Sequence, residues 1–190
     1  MNDSERVPWE AVFGNARPVE IEIGPGRGET LFAAAAARPE RNFFAIERTG
    51  GMAGALLRGA ARRGLRNVRA IGADARCVIA RLVPDASVAA YHVYFPDPWP
   101  KRRHRRRRLV NTTFARDLRR TLLPGGEIHV ATDLPALLDA YAGELVAAGL
   151  YAVPATVSQP RPVSYFERRY ATGGTHRARF VRPQPGEASG

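Results

Sequence analysis

Segments with strand character alternate with segments of helical period along most of this 190-residue chain. Strands are predicted at residues 19–24, 42–48, 67–73, 88–95 and 128–131, with two late strands near residues 151–157 and 178–182. Helices are predicted at residues 29–38, 52–63 and 75–82, then from the N-cap Asn111 to a stop at Pro124, and finally after a cap at Asp133. This alternation predicts an open, mostly parallel α/β sheet with helices on both faces. Such a sheet binds its ligands at the carboxyl ends of its strands.

The residues that carry this alternation, 18–183, are predicted to form one domain. Residues 1–17 show no clear period and are interpreted as an N-terminal extension, whereas residues 184–190 are rich in Pro, Gly and Ser and are interpreted as a flexible tail. No apolar segment has the length of a signal sequence core or a membrane span, and Cys77 is the only cysteine. We therefore expect a cytoplasmic protein with no membrane contact and no internal disulfide.

The charge of the chain is concentrated in one short segment. The formal net charge is +11, and seven basic residues lie within residues 101–108, whereas the rest of the chain carries 22 basic and 18 acidic residues. A local basic patch favours a polyanionic partner that contacts one face of the protein. The alternative is a solvated face that binds nothing.

A glycine-rich turn follows the first predicted strand directly. Gly24, Gly26 and Gly28 have the spacing G-x-G-x-G, and a helix follows them. Glycines here permit a tight turn and a close approach of the backbone to a ligand. The spacing differs from the G-x-G-x-x-G of dinucleotide enzymes, which argues against a dehydrogenase. A turn without a ligand remains the alternative.

Three acidic residues accompany this turn. Glu22 lies on the first strand, where a buried carboxylate needs donors to offset its desolvation. Glu47 ends the second strand, where a carboxylate can accept both hydroxyls of a ribose. Asp74 ends the third strand, and either an adenine contact or a helix cap would explain it. Together with the turn, the three carboxylates indicate a pocket for S-adenosylmethionine.

The fourth strand leads into an unusual loop. Asp97 lies between two prolines, which fix the backbone and remove competing donors around its carboxylate. Trp99 offers a flat face on which a base could stack, and Lys101 opens the basic segment. An acid, an indole and an amine this close together indicate a site rather than a stiff surface turn.

These motifs resemble the bacterial tRNA (guanine-N7)-methyltransferase family. The resemblance rests on Ile21, Glu22, Ile23 and Gly24; on Ile46 and Glu47; on Asp74 and Ala75; on Phe95, Pro96, Asp97, Pro98, Trp99, Pro100 and Lys101 with the basic residues after them; on Ala131, Thr132 and Asp133; and on Ser164, Tyr165, Phe166, Glu167 and Arg168. It spans roughly residues 18–182 in the family's order. The element from Phe95 to Lys101 is specific, whereas many methyltransferases share the glycine turn.

The resemblance implies a Rossmann-like sheet of seven strands with an antiparallel last strand, and S-adenosyl-L-methionine as cofactor without a metal ion. It implies that Glu22, Glu47, Asp74 and Asp97 hold the cofactor, beside the turn of Gly24, Gly26 and Gly28, and that Asp97 is also catalytic. It implies tRNA contacts from Lys101, Asp133, Ser164, Tyr165, Phe166 and Glu167. The enzyme is expected to act as a monomer or homodimer without an obligatory protein partner.

The expected reaction is methyl transfer to N7 of a guanine in the tRNA variable loop. N7 carries a lone pair and no hydrogen, so alignment of the reactants matters more than a general base. The base becomes cationic, which favours a carboxylate such as Asp97, or Glu167, beside its N1–H and exocyclic amine. Three alternatives stay open: methylation of another RNA, methylation of an exocyclic base amine, and a non-catalytic basic RNA-binding module.

Overall fold

A computed structural model describes residues 6–99, 102–154 and 174–187 of the chain. The helices are α1 (Trp9–Phe13), α2 (Glu29–Ala37), α3 (Met52–Arg62), α4 (Ala75–Arg81), α5 (Thr112–Thr121) and α6 (Pro135–Ala147), and a 3-10 helix covers Arg102–Arg107. The strands are β1 (Val19–Ile23), β2 (Asn42–Glu47), β3 (Val68–Gly72), β4 (Val88–Tyr94), β5 (Leu122–Thr132), β6 (Tyr151–Val153) and β7 (His176–Val181).

The seven strands form one sheet in the order β3-β2-β1-β4-β5-β7-β6. Strands β1 to β5 pair in parallel, and β7 runs antiparallel between β5 and β6. The expected mostly parallel sheet with a reversed last strand is therefore confirmed. The strand order changes direction between β1 and β4, and a ligand crevice forms where the connections diverge in this way.

The two faces of the sheet bury different sets of side chains. One face packs Ile21, Phe44 and Val93 against residues of α1, α4, α5 and α6, in the larger of two apolar clusters. The other face packs Phe43 and Ala45 against residues of α2 and α3, in the smaller cluster. Over β1, β4, β5 and β7 this second face carries polar side chains instead, and these become important at the site.

Helix α1 lies in the segment for which the sequence showed no period. The indole of Trp9 meets the ring of Phe44 edge-on with centroids 5.2 Å apart, and Phe13 is buried. The Val7 amide donates to the Leu82 carbonyl at 2.7 Å. Five residues are too few to display a helical period, which explains why the sequence did not reveal this helix.

The prediction that residues 124–126 end a helix was wrong. Helix α5 ends at Thr121, and β5 begins at Leu122. The Gly125 amide donates to the Arg182 carbonyl, and the Arg182 amide donates to the Gly126 carbonyl, both at 2.9 Å. The Pro-Gly-Gly segment thus pairs with the chain beyond β7 and forms a register irregularity in β5, where a strand tolerates proline and glycine.

The predicted cap at Asp133 was also wrong. The N-cap of α6 is Leu134, and the Leu134 amide donates to the hydroxyl of Thr132 at 3.2 Å. The hydroxyl of Thr132 thus forms a local turn just before the helix, and no side chain of the described ranges caps the first turn of α6. Among the described residues no helix has the length and apolarity required to cross a membrane.

Candidate active site

A cleft opens at the carboxyl ends of β1 to β4, where the topology places a ligand site. Four of the seven predicted cofactor residues line it: Gly24, Glu47, Asp74 and Asp97. Glu22, Gly26 and Gly28 are close to Gly24 in sequence but are not among the residues that form the wall of the cleft. On the β4 side, residues 94–97, at the end of β4 and in the loop that follows it, complete the wall of the cleft.

The glycine turn needs its glycines for two different reasons. Gly24, Gly26 and Gly28 have φ values of 68°, 55° and 78°, in the left-handed region that favours glycine. At Gly28 a Cβ atom would in addition lie 2.6 Å from a methyl carbon of Leu56 and 2.8 Å from the ring of Phe32. Gly28 therefore permits the close packing of α2 on α3, whereas Gly24 leaves its backbone open to the cleft.

Glu22 lies beneath the turn. Its side chain is buried, and the hydroxyl of Thr30 in the first turn of α2 donates to its Oε1 at 2.5 Å. The carboxylate therefore ties β1 to the helix that follows the glycine turn, which holds the turn in place. A direct cofactor contact by Glu22 stays a prediction.

Glu47 joins the glycine turn to the turn after β2. Its Oε2 accepts from the Gly26 amide at 3.3 Å, and its Oε1 accepts from the Thr49 amide at 2.8 Å. Each carboxylate oxygen has a further lone pair. The carboxylate is therefore oriented by the backbone while it lines the cleft.

Asp74 is both a helix cap and a wall residue of the cleft. Its Oδ1 accepts from the Arg76 amide at 2.8 Å, which caps α4. The same side chain lines the cleft at the end of β3. The cap is thus observed, and the adenine contact stays a prediction.

The loop that carries Asp97 has a strained backbone. Phe95 and Trp99 have φ values of 48° and 40°, which aromatic residues rarely adopt. The Phe95 amide donates to the Ala131 carbonyl at 2.8 Å, which anchors the start of the loop to β5. Asp97 itself is 71% exposed, with its Oδ2 3.7 Å from an Nη of Arg48. Strain of this kind concentrates at functional sites, where surrounding contacts enforce it.

The basic 3-10 helix is fastened to this loop. The guanidinium of Arg107 lies over the indole of Trp99, 4.9 Å from the ring centroid, and His104 meets the same indole edge-on at 5.7 Å. Arg108 donates to the Pro98 carbonyl at 3.3 Å. The basic segment is therefore held at the lip of the cleft, and Arg107 covers part of the indole that was predicted to stack on a base.

The remaining predicted substrate residues have different outcomes. Asp133 follows β5 at the same edge of the sheet as the cleft, half-buried, but it does not line the cleft. Lys101, Ser164, Tyr165, Phe166 and Glu167 lie outside the described residues. Their proposed tRNA contacts stay predictions.

A chain of polar side chains on the sheet itself was not predicted from the sequence. Glu20 on β1 is 2% exposed, and its Oε2 lies 2.8 Å from Nε2 of His92 on β4. The Nδ1 of the same ring lies 2.9 Å from the hydroxyl of Tyr94, which lines the cleft. The alternation of His92 and Tyr94 on an otherwise apolar buried strand was the available signal, since residues two apart share a face.

The same chain continues away from the cleft. His129 on β5 stacks on His92 with ring centroids 5.1 Å apart, and its Nε2 lies 2.9 Å from Oε2 of Glu127. Arg179 on β7 pairs with Glu127 at 3.1 Å. At the other end, Arg38 donates to Oε1 of Glu20 at 2.6 Å. Polar groups thus cross four neighbouring strands of the sheet.

The charge state of Glu20 follows from these contacts. Burial alone would raise the pKa of its carboxyl, but the hydrogen bond and charge of His92 and the guanidinium of Arg38 outweigh burial and lower the pKa to about 2. Glu20 is therefore ionised at neutral pH and acts only as an acceptor.

We expect Glu20→Gln to lower the free energy of unfolding by about 3 kcal/mol at neutral pH, because it leaves the partly buried Arg38 without its carboxylate. The pKa of about 2 lies below the ordinary value of 4.5, so this stabilisation is complete above the ordinary value and is lost as the pH falls toward the lower one. Urea denaturation at about pH 7, 5 and 3 measures the difference between wild type and variant. The difference in the free energy of unfolding between wild type and variant should be smaller at about pH 3 than at about pH 5. An equal difference at both values would contradict an ionised Glu20 that is stabilised by its partners.

The fold and the site define a class of protein. The cleft has a glycine turn after β1, carboxylates at the ends of β2 and β3, and an acidic aromatic loop after β4. The family match identifies the chain as an S-adenosylmethionine-dependent methyltransferase. Residues 16–176 match a family model described as "Putative methyltransferase". The chain belongs to the tRNA (guanine-N7)-methyltransferase family.

Two curated relatives carry that family name. The protein of Pseudomonas putida strain W619 is 42% identical over 170 residues, which cover 86% of this chain and 70% of the relative. The protein of Cupriavidus necator is 43% identical over 168 residues, which cover 85% of this chain and 64% of the relative. The chain thus spans about two thirds of the length of these relatives.

Solved structures of low sequence identity share the fold. The 16S rRNA methyltransferase KamB has a TM-score of 0.66 and 16% identity, covering 96% of this chain and 94% of that one. A SAM-dependent methyltransferase from Aquifex aeolicus has a TM-score of 0.61 and 14% identity, covering 95% and 94%. These likenesses establish the Rossmann-like methyltransferase fold.

Proposed function

We propose that this chain transfers a methyl group from S-adenosylmethionine to N7 of a guanine in the variable loop of tRNA. The observation that carries the proposal is the attachment of the basic 3-10 helix, through Trp99 and Pro98, to the loop that bears Asp97 at the cleft. A phosphate-binding surface is thereby joined to the methyl-transfer site. The names of the relatives, which match most of this chain, support tRNA as the substrate.

The side chains and backbone that line the cleft suit the methyl donor. Glu47 and Asp74 supply oriented acceptors at the ends of adjacent strands, which suits a ribose diol and an adenine amine, both of which donate hydrogen bonds. The open backbone at Gly24 allows the chain of the ligand to pass close to β1. When bound, S-adenosylmethionine supplies an electrophilic methyl group. Glu22, Gly26 and Gly28 would hold the turn that these contacts need.

The task of the protein residues is alignment rather than proton removal. Guanine N7 has a lone pair and no hydrogen, so the enzyme needs no general base to prepare the nucleophile. It must hold the base in line with the methyl group and keep water out. A base in folded RNA must also leave its stack to reach the cleft.

Asp97 is the residue we assign to catalysis. Its carboxylate projects from the strained loop at the lip of the cleft. A guanine that gains a methyl group at N7 becomes cationic, and its N1–H and exocyclic amine become stronger donors. A carboxylate beside them therefore binds the transition state more tightly than the ground state.

Contacts to the rest of the tRNA are proposed for Lys101, Asp133, Ser164, Tyr165, Phe166 and Glu167, on the strength of the motif match. The activity is proposed for the cytoplasm, in a monomer or homodimer that needs no other protein. Basic residues at the cleft lip would bind phosphates, which steers the RNA toward the site.

Two tRNA transcripts test this proposal. They are identical except that the variable-loop guanine of one is replaced by adenine, and each is incubated with the full chain and methyl-labelled S-adenosylmethionine. We expect label on the first transcript only, released on hydrolysis as N7-methylguanine. Label released as an N-methylated amine would overturn the assignment of the atom. Label on neither transcript, despite binding of the methyl donor, would overturn tRNA as the substrate.

A further inference from the structure

A second basic segment follows β2 directly. Residues 48–73 contain six arginines and no acidic residue, and they form the longest stretch of the sequence without a carboxylate side chain. Outside this segment and residues 101–108, the sequence has 16 basic and 18 acidic residues. The positive excess of the protein therefore comes entirely from two segments, and the function proposed above uses only one of them.

Helix α3 and the turn after it present most of this charge to solvent. Arg58 and Arg62 are exposed and one helical turn apart, and Arg66 is exposed just beyond the helix. Like charges at this spacing repel each other, which costs stability. Within the ranges that the structure describes, none of these three side chains forms an ion pair that would offset the cost. An external polyanion would offset it.

Helix α5 shows how this protein neutralises arginines elsewhere. It carries three arginines, but Asp117 lies 3.6 Å from Arg120, and Arg120 also pairs with Asp85. Exposed helix faces that serve only solubility mix charges of both signs in this way. Helix α3 contains no acidic residue, so its exposed face differs from such a solvated face.

The position of α3 connects its arginines to the cleft. Arg48 and Thr49 line the cleft, and α3 begins shortly afterwards at Met52. An Nη atom of Arg58 lies 3.3 Å from the point where a Cβ atom would stand on Gly54. The guanidinium of Arg58 therefore extends back along the helix toward the cleft, as long side chains on a helix do.

The two basic segments lie on opposite faces of the sheet. Helix α3 packs with α2 on one face, whereas the 3-10 helix is bonded to α4 on the other, where Nη2 of Arg76 donates to the Arg107 carbonyl at 3.2 Å. The cleft opens at the sheet edge between these faces. An RNA that delivers one base to the cleft has backbone on both sides of that base, so each basic segment meets one side of it.

The burial of α3 argues against a membrane surface as the polyanion. A helix that lies on a membrane inserts an apolar face between the lipids. The apolar face of α3 is already used by the fold, because Leu56, Gly59 and Ala60 are buried on the sheet. Leu57, which is 41% exposed, is the one large apolar side chain that α3 exposes. The helix thus offers charge without a face to insert, which suits a phosphate backbone.

We infer that α3 forms a second RNA-binding surface, where Arg58, Arg62 and Arg66 bind backbone phosphates of the tRNA on the opposite side of the cleft from the 3-10 helix. Contacts of this kind position the RNA and carry no base specificity. The inference rests on tRNA as the substrate proposed above. It adds a surface that the basic residues at the cleft lip do not provide.

The double substitution of Arg58 and Arg62 by Gln tests this surface with the full chain and a tRNA transcript. We expect the affinity for the tRNA to fall about tenfold at low salt and the slope of log affinity against log salt to decrease by about 1.5, as for two lost phosphate contacts. Glutamine keeps the helix propensity of arginine. Arg63 is left intact, because its guanidinium lies 4.6 Å from the centre of the Phe32 ring and packs α3 on α2. The affinity for S-adenosylmethionine should not change.

Two matched variants identify the cause of a change. Arg58→Lys with Arg62→Lys keeps both charges and should keep the slope within about 0.5 of the wild-type value. Arg81→Gln with Arg119→Gln removes two exposed charges from α4 and α5 and should leave the slope unchanged. An equal decrease in this last variant would overturn the local surface in favour of a general effect of net charge.

A combined variant shows whether the two basic segments hold the same RNA. The α3 pair together with Arg103→Gln and Arg106→Gln should lower the slope by about 3, because contacts at separate places on one RNA add. An unchanged slope in the α3 pair alone would overturn the second surface. Weaker binding of that pair to anionic lipid vesicles, with an unchanged slope for tRNA, would overturn it in favour of a membrane contact.

Failure of this inference and failure of the proposed function give different results. If the wild type methylates N7 of the tRNA guanine and the α3 pair keeps its slope, only the second surface is overturned. If the α3 pair lowers the slope and the wild type transfers no methyl group to tRNA, only the proposed reaction is overturned.

Discussion

Asp97→Asn is expected to lower kcat for tRNA methylation about 100-fold or more, while the Kd for S-adenosylmethionine changes by less than about threefold. Asparagine keeps the shape and one acceptor oxygen of the side chain but removes the charge that stabilises a cationic base. Asp97 is 71% exposed and has only a loose contact with Arg48 among the described side chains, so the substitution should not disturb the fold. Single-turnover methyl transfer and calorimetry measure the two quantities.

Asp139→Asn provides the control for this substitution. Asp139 is an exposed carboxylate on α6, so its replacement makes the same change in net charge away from the cleft. It should leave kcat and Kd unchanged. If Asp97→Asn also leaves kcat unchanged, Asp97 has no part in the reaction. If it instead raises the Kd by much more than threefold, its main role is to hold the methyl donor rather than the base.

The elements around the cleft could be predicted because their signals are local. The predicted helix start after Asn111 is confirmed, since the side chain of Asn111 accepts from the Phe114 amide at 3.0 Å. The first four strands and the first three predicted helices match the observed ones to within a residue or so at each end. Four carboxylate or glycine positions at strand ends converge on the cleft because parallel strands bring their carboxyl ends to one edge.

What escaped prediction depends on pairings between distant residues. The sequence singled out Glu22 as the costly buried carboxylate of β1, yet Glu20 is also buried and is partnered by His92, which lies 72 residues away in the chain. No local pattern reveals that pairing before the register of β1 and β4 is known. The path of β5 could not be predicted for the same reason, because the backbone hydrogen bonds of Gly125 and Gly126 are made with Arg182, which is distant in sequence.

The double substitution of Arg103 and Arg106 by Gln is expected to weaken tRNA binding about tenfold at low salt and to reduce the slope of log affinity against log salt by about 1.5. Both side chains are exposed on the 3-10 helix. Arg107 and Arg108 are left intact because they fasten the segment to Trp99 and Pro98. The affinity for S-adenosylmethionine should not change, since the cleft wall is untouched. Binding titrations at several salt concentrations measure the slope.

The double substitution of Arg81 and Arg119 by Gln removes the same charge from a different part of the surface. Both residues are exposed in the last turns of α4 and α5, at the end of the sheet opposite the cleft. If net charge alone attracted the RNA, both double variants would lose affinity equally. A local phosphate contact predicts that only the variant on the 3-10 helix changes the slope. An unchanged slope in that variant would mean that these two arginines contact no phosphates and form a solvated face.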